Sequence, residues 1–200
     1  MVKLTVKNIA SLCVYAAALS SCIYYKAYAS CALFEIWLPF MGVYFIIDMR
    51  NEPNIQYRIH HIVCLIMFVY GYYYRVKLDD AGILLYTILK TELSSVFLLF
   101  MPMLDTTTYL YHINNVVFSV CFTKTRIIDM YYGLIRPESL LYTLVDKYTP
   151  ENKFASGALI ASCYGLYGLN LYWFTIILRH IYSAVIHLWK QNKHEILYTS

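Results

Sequence analysis

Successive long apolar runs are the feature of this sequence that most constrains its fold. A transmembrane helix needs about 20 consecutive, mainly apolar residues, and runs near that length follow one another with short polar connections. Hydrophobic residues make up 60% and charged residues 14% of the 200 positions, against roughly 45–50% and about 25% in a soluble domain. The sequence therefore predicts an all-α, polytopic membrane helical bundle of six or seven transmembrane helices, with no separate soluble domain.

The apolar runs also define the predicted domain organisation. They cover residues 9–25, 27–47, 58–74, 81–104, 109–122, 127–145 and 154–189. We interpret 27–189 as one transmembrane domain, 1–26 as an N-terminal transmembrane segment or signal anchor, and 190–200 as a polar tail. A cleavable signal is the alternative for the N-terminus, because Lys3 and Lys7 precede a short apolar stretch that ends in small residues.

Charge and cysteine usage exclude several classes of function. The net charge of +4 comes from Lys and Arg scattered singly over short connections, without the basic stripe of a nucleic-acid-binding protein. The six cysteines lie within apolar stretches and form no C-x-x-C pair, so the sequence contains no zinc or redox motif and predicts no metal site. We expect a membrane lipid, and no nucleic acid, as the partner. Neither the oligomeric state nor the membrane orientation is predicted.

Two adjacent histidines, His60 and His61, open the apolar run RIHHIVCLIMFVYGYYY at 58–74. Ionisable side chains within hydrocarbon are costly and mark functional sites, so we predict that the pair borders a cavity enclosed by the bundle. The alternative is a pair of interfacial histidines in the headgroup layer. Successive residues of a helix point about 100° apart, so both rings can border one cavity without acting as a unit.

Two charged residues, Lys90 and Glu92, lie near the middle of the run 81–104. Residues two apart on a helix do not face each other, so each needs a partner from elsewhere. Glu92, followed by Ser94 and Ser95, predicts a polar stripe that lines the interior of a bundle. The alternative is a structural carboxyl group that is hydrogen-bonded to a neighbouring helix.

Arg126 is the predicted countercharge for an interior acid. It is also three residues from Asp129, which predicts a pair on one face of an α-helix. The polar residues within 109–122 predict either a half-buried segment or one irregular span together with the next segment. Arg136 with Pro137 predicts a break or a re-entrant section further along the chain.

Five short segments form an ordered pattern along the chain. They are YFIIDM ending at Met49, the His60-His61 pair, Glu92-Leu93-Ser94, Arg126 after an aromatic-rich segment, and Asn170-Leu171-Tyr172-Trp173-Phe174. This pattern, over about Met41 to Arg179, resembles the TLC-domain family, the membrane module shared by ceramide synthases and smaller TLC-domain proteins. The resemblance implies that His60 and His61 are catalytic if the protein is an enzyme. It implies a lipid cavity lined by Asp48, Glu92, Ser94, Arg126, Asn170 and Trp173.

Departures from the family pattern bear on the function. The Glu-Leu-Ser step continues with Ser95-Val96 instead of Thr-Pro, and the His-Asp-x-Ser-Asp element of ceramide synthases is absent where this chain reads LLYTILKTELSS. The resemblance is therefore nearer to the non-synthase branch, whose roles concern membrane lipid composition. It also implies an endoplasmic-reticulum-type membrane.

These observations leave two functions open. The first is lipid binding or membrane lipid homeostasis, with a head group on the polar side chains. The alternative is a sphingoid-base N-acyltransferase similar to ceramide synthase, in which a histidine acts as general base; acyl-CoA is then the co-substrate, and no other cofactor is predicted. A metal-dependent hydroxylase or desaturase needs several histidine clusters where this chain has one pair. A transporter lacks the support of a visible inverted repeat.

Overall fold

The fold is described by a computed structural model that covers residues 11–14, 16–17, 19–20, 23–24, 32–73, 78–148 and 152–199. Every regular element in these ranges is helical, which confirms the all-α prediction for the described part of the chain. The helices are α1 (Ala32–Asn51), α2 (Ile55–Tyr73), α3 (Leu78–Phe100), α4 (Tyr109–Phe122), α5 (Leu140–Tyr148) and α6 (Lys153–Thr199). A 3-10 turn covers Met101–Met103, and two π-helical stretches cover Thr123–Asp129 and Tyr131–Ile135.

Short polar side chains fix where three of the helices begin. The side chain of Asn54 accepts a hydrogen bond of 2.9 Å from a backbone N–H in the first turn of α2. Thr108 does the same for α4 at 3.4 Å, and Asn152 for α6 at 3.0 Å. Such caps satisfy N–H groups that have no partner within the helix.

One irregular helix runs from Tyr109 to Ile135, because α4 continues directly into the two π-helical stretches. The hydroxyl groups of Ser119, Thr123 and Thr125 each donate a hydrogen bond of 2.8 Å to the carbonyl four residues earlier. Bonds of this kind compete with the regular helical ladder and bend helices. Of the two alternatives for residues 109–122, the structure shows the irregular span that joins the next segment.

The irregular helix ends where the sequence predicts a break. Arg136 has extended backbone with ψ of 146°, as expected for the residue before Pro137. The α5 helix then begins at Leu140 and buries Leu141 and Leu144.

The hydrophobic core contains buried side chains from α1, α2, α3, α5, α6 and the π-helical stretches. The α2 helix packs between α1 and α6, and α3 packs against α4. The largest fully buried apolar side chains are Met41, Met130, Leu134, Leu141, Leu166 and Cys163. The outer faces of α1 and α4 are also apolar, as shown by the exposed side chains of Val43, Ile47, Leu110 and Ile113. An apolar exterior of this kind suits a hydrocarbon environment.

Only α6 supports the predicted membrane spans by its length and apolarity, within the described part of the chain. Among the described residues, this is the one helix long and apolar enough to cross a membrane, over Lys153–Ile186. Its 34 residues extend for about 51 Å, more than the roughly 30 Å of a hydrocarbon core. The number of six or seven spans stays a prediction. The predicted segment 1–26 lies largely outside the described residues, and α6 continues past the boundary drawn before the tail at 190–200.

We expect Gly133→Ala to destabilise the bundle. A Cβ atom at Gly133 would lie 2.9 Å from both Cγ2 and Oγ1 of Thr87 on α3, so the π-helical stretch would have to move away from α3. Overpacking of this kind costs about 1–3 kcal/mol and lowers the midpoint of thermal unfolding in detergent. Gly165→Ala is the matched control, because a Cβ atom there meets nothing within 4 Å. An unchanged or higher midpoint for Gly133→Ala would contradict the close contact.

Candidate functional site

Asp48 and His61 meet because α1 and α2 are adjacent helices joined by a short turn. Asp48 lies in the last turn of α1, and His61 lies in the second turn of α2. Nε2 of His61 is 3.0 Å from Oδ2 of Asp48, and the ring of Phe45 stacks on the His61 ring with centroids 4.7 Å apart. When Nε2 donates to the carboxylate, Nδ1 of His61 keeps its lone pair.

His60 lies against a second carboxylate, that of Glu92 on α3. Its Nε2 is 3.6 Å from Oε1 of Glu92 and 3.9 Å from Sγ of Cys64. The ring of Trp173, on α6, lies beside the His60 ring with centroids 5.9 Å apart. Among the described residues, Nδ1 has no hydrogen-bond partner in either histidine. The two histidines therefore face carboxylates on different helices, and each has one free ring nitrogen.

The guanidinium group of Arg126 joins three structural elements inside the bundle. From the first π-helical stretch, its Nε donates to Oγ of Ser94 at 2.9 Å and to the carbonyl oxygen of Thr91 at 3.2 Å. Its Nη2 donates to Oγ of Ser95 at 2.8 Å, also on α3. Its Nη1 donates to Oδ1 of Asn170 on α6 at 3.2 Å.

The structure also brings Arg126 and Glu92 together. Nη2 of Arg126 is 3.6 Å from Oε1 of Glu92, and both side chains are at least nine-tenths buried. Oγ of Ser95 donates to the other carboxylate oxygen, Oε2, at 3.0 Å. Glu92 thus lies between a permanent cation and the His60 ring, in a position where its charge is compensated.

The predicted pair between Arg126 and Asp129 is wrong. Asp129 instead forms ion pairs with Lys90 and Lys124. The prediction assumed an α-helix, but this stretch is π-helical, with hydrogen bonds that run five residues along the chain. Residues five apart, such as Lys124 and Asp129, are therefore neighbours on its surface. Lys90, which cannot face Glu92 on the same helix, forms its ion pair with Asp129.

The polar groups line one end of a cavity of 1030 Å³. The predicted site residues that line it are Asp48, His60, His61, Glu92, Ser94, Arg126 and Trp173. Asn170 is not among the lining residues; it is 1% exposed and lies behind Arg126, where its Nδ2 donates to Sδ of Met130 at 3.2 Å. Within the described residues, no group of three or more His, Cys, Asp or Glu side chains could hold a metal ion.

From the polar groups, the cavity extends toward the α1–α2 turn and the α3–α4 connection, where Glu52, Met101 and His112 line it. Glu92 lies eight residues before the end of α3, about 12 Å along the helix axis. The polar groups therefore form the floor of the cavity. Much of the wall above them is aliphatic and comes from α4 and α6, with Val116, Val120, Ile177, Ile181 and Val185.

Several polar residues of the cavity wall were not predicted from the sequence. Asn115 and Ser119 on α4 line the cavity, as does Gln56 on α2. Helical spacing could have found Gln56, because it precedes His60 by four residues and so shares its face. Oε1 of Gln56 accepts a hydrogen bond of 3.2 Å from Nε1 of Trp173.

Comparison with known proteins gives one match. A family model described as TLC domain matches residues 4–179, which is more than half of the chain. The matched region includes the whole cavity floor and both π-helical stretches. No curated protein and no solved structure matches the chain.

We expect Arg126→Met to lower the free energy of unfolding by about 3–5 kcal/mol, because it leaves the Glu92 carboxylate buried without its countercharge. Glu92→Gln should also lower the free energy of unfolding, because it leaves the Arg126 guanidinium group buried without its countercharge. The combined variant should lose less than the sum of the two single losses, because neither charge is left alone. Unfolding curves of the four proteins in detergent measure this coupling. Lys153→Met, which removes an exposed cation, is the control, and strictly additive losses would contradict the pair.

Proposed function

The chain belongs to the TLC domain family, and from this premise we propose that it is a multi-pass membrane protein that binds a lipid and takes part in membrane lipid homeostasis. In this proposal the polar group of the lipid lies on the cavity floor at His60, Glu92 and Arg126. The hydrocarbon chain lies along the apolar wall between α4 and α6. The family resemblance also supports an endoplasmic-reticulum-type membrane as the location.

The observation that carries this proposal is a buried polar floor beneath apolar walls. Small-molecule cavities measure about 300–1,000 Å³ and combine mostly apolar walls with a few convergent polar groups; this one, at 1030 Å³, can hold a head group and part of a chain. On its floor, Nδ1 of His60 and of His61 are buried and have no partner within the described residues. Buried polar atoms are normally hydrogen-bonded, so a polar ligand group would complete the floor.

The aromatic residues near the floor support the same proposal. Trp173 contacts the His60 ring, lies 5.9 Å from the guanidinium carbon of Arg126, and lies 5.3 Å from the ring of Tyr57. Trp and Tyr have an apolar body with one polar group and are suited to the boundary between a head group and a hydrocarbon chain. Both residues line the cavity.

One observation favours a second candidate, N-acyl transfer from acyl-CoA to a sphingoid base. The Asp48 carboxylate orients His61 through Nε2, so Nδ1 has the lone pair that a general base needs. In this reaction the lipid amine attacks the thioester carbonyl, a histidine takes the amine proton, and the coenzyme A thiolate leaves. The missing acidic element in LLYTILKTELSS argues against this candidate, so lipid binding is our conclusion.

We expect a lipid with a brominated chain to quench the fluorescence of Trp173 in the purified protein, because the chain passes this side chain in the cavity. Trp37→Phe and Trp189→Phe remove the other two tryptophans. An unbrominated lipid should compete and restore the fluorescence. The combined Glu92→Gln and Arg126→Met variant should bind about tenfold more weakly, as for the loss of roughly 1.4 kcal/mol of head-group contacts. Thr143→Val on α5, outside the cavity, is the control.

Quenching that no lipid competes away, or that is unchanged in the combined variant, would contradict binding in this cavity. The same preparation distinguishes the two candidates when it is incubated with long-chain acyl-CoA and a sphingoid base. An N-acylated product that disappears with His60→Ala and His61→Ala would establish the enzyme. Bound lipid without product would support lipid binding alone.

A further inference from the structure

The hydrogen-bond donors of the cavity floor are already bound within the protein. Each of the three guanidinium nitrogens of Arg126 donates to another residue. The hydroxyl group of Ser95 donates to a carboxylate, and that of Ser94 donates to a backbone carbonyl. The indole N–H of Trp173 donates to a side-chain amide. A ligand on the floor therefore meets four side chains whose donors are in use.

The unpaired polar atoms of the cavity can accept hydrogen bonds. Nδ1 of His60, Nδ1 of His61 and Oδ1 of Asn115 are buried and have no hydrogen-bond partner among the described residues. The side chains of His60 and His61 are 7% and 9% exposed, and each directs Nε2 toward a carboxylate. When Nε2 carries the proton, Nδ1 has the lone pair. A group that satisfies these atoms must therefore be a hydrogen-bond donor.

The charge of the cavity lining places a second constraint on the ligand. The charged side chains among the described lining residues are the carboxylates of Asp48, Glu52 and Glu92 and the guanidinium group of Arg126. With neutral histidines, three negative charges against one positive charge leave a formal sum of −2. Asp48 and Glu92 are 9% and 7% exposed, so water and salt screen their charges poorly. A further negative charge on the floor is therefore strongly unfavourable.

We propose that the cavity selects lipids whose polar group donates hydrogen bonds and carries no negative charge, a hydroxyl or an ammonium group, and that it rejects phosphate. This inference rests on the lipid binding proposed above and names the chemistry of the bound group. The donor hydrogen of the lipid binds Nδ1 of His60 or His61. Asp48 determines the specificity in two ways, because its carboxylate orients His61 and its charge repels a phosphate.

The buried arginine does not make the floor a phosphate site. An arginine that recognises phosphate offers two parallel N–H donors. In Arg126, Nε and Nη2 donate to Ser94 and Ser95, and Nη1 donates to Asn170. The net charge of the chain is +4, which attracts phosphate without specificity. A preference for a hydroxyl or ammonium group over phosphate must therefore come from the cavity and not from the overall charge.

The test compares three single-chain lipids that share one brominated chain and end in an alcohol, an amine or a phosphate monoester. Each is mixed at equal mole fraction into neutral phosphatidylcholine vesicles that contain the protein with Trp37→Phe and Trp189→Phe. Quenching of Trp173 fluorescence measures binding. We expect the alcohol and the amine to bind at least about tenfold more tightly than the phosphate, as for one unfavourable ionic contact. Tighter binding of the amine than of the alcohol would support selection by charge as well as by hydrogen bonding, and equal binding would support hydrogen bonding with exclusion of phosphate.

Charge-neutral variants identify the residue that rejects phosphate. Asp48→Asn removes one negative charge from the floor and keeps a side-chain oxygen that can accept from Nε2 of His61. It should lower the ratio of alcohol affinity to phosphate affinity by about tenfold. Glu52→Gln, at the mouth of the cavity, should lower this ratio less, because water screens its charge better. Asp146→Asn removes an exposed acid on α5 that does not line the cavity and should leave the ratio unchanged.

Equal or tighter binding of the phosphate by the protein with an unaltered cavity would overturn the proposal, and this comparison depends on no cavity variant that must fold. An unchanged ratio in Asp48→Asn would also overturn it. Phosphate quenching that an unbrominated phosphate lipid displaces would still support lipid binding, so that result overturns this inference alone. If none of the three lipids gave displaceable quenching, lipid binding in the cavity would be overturned together with this inference.

Discussion

The buried guanidinium group of Arg126 is the interaction on which the rest of the structure depends. It donates hydrogen bonds to Ser94 and Ser95 on α3 and to Asn170 on α6, and it lies beside the Glu92 carboxylate. A buried charge is tolerated only when it is paired and hydrogen-bonded. The guanidinium therefore fixes α3, α6 and the π-helical stretch relative to one another, and the same contacts form the floor of the cavity.

The π-helical geometry links this interior contact to the outer surface. In the same short stretch, Arg126 faces the interior while Lys124 and Asp129 form ion pairs on the outside. Because the hydrogen bonds of a π-helix run five residues along the chain, the pairing of side chains differs from that of an α-helix. Single-turn π-bulges are frequent at functional sites, and this stretch provides Arg126 to the cavity floor and Lys124 with Asp129 to an ion-pair cluster outside the cavity. The cavity floor and this ion-pair cluster thus lie on two faces of one irregular helix.

Part of this arrangement could be predicted from the sequence, because polar residues within long apolar runs need partners in the interior. His60, His61, Glu92 and Arg126 were identified in this way, and the structure brings all four to one cavity. Which histidine meets which carboxylate could not be predicted, since it depends on how α1 and α3 approach α2. The pair assigned to Arg126 and Asp129 was wrong because α-helical spacing was assumed.

The wall of the cavity was harder to predict than its floor. Asn115 and Ser119 face the cavity, but short polar residues also occur on helix surfaces that contact nothing. Asn170 was identified by the family resemblance, yet it lies behind Arg126 and acts on the cavity through that side chain. The number of membrane spans was inferred from the successive apolar runs and the composition, whereas by length and apolarity α6 alone among the described helices passes as a span. Apolar composition therefore indicates a membrane environment, but it does not identify which individual helices cross the membrane.

The most direct test of the central claim is photochemical mapping of the bound lipid. A lipid with a photoactivatable group in its chain is incubated with the purified protein, irradiated, and the labelled residues are identified by mass spectrometry. The account predicts labels on cavity residues such as Trp173, Ile177 and Tyr57, and their loss when unlabelled lipid is added in excess. Labels spread over the outer face of α1, at Val43 and Ile47, without labels in the cavity would contradict it.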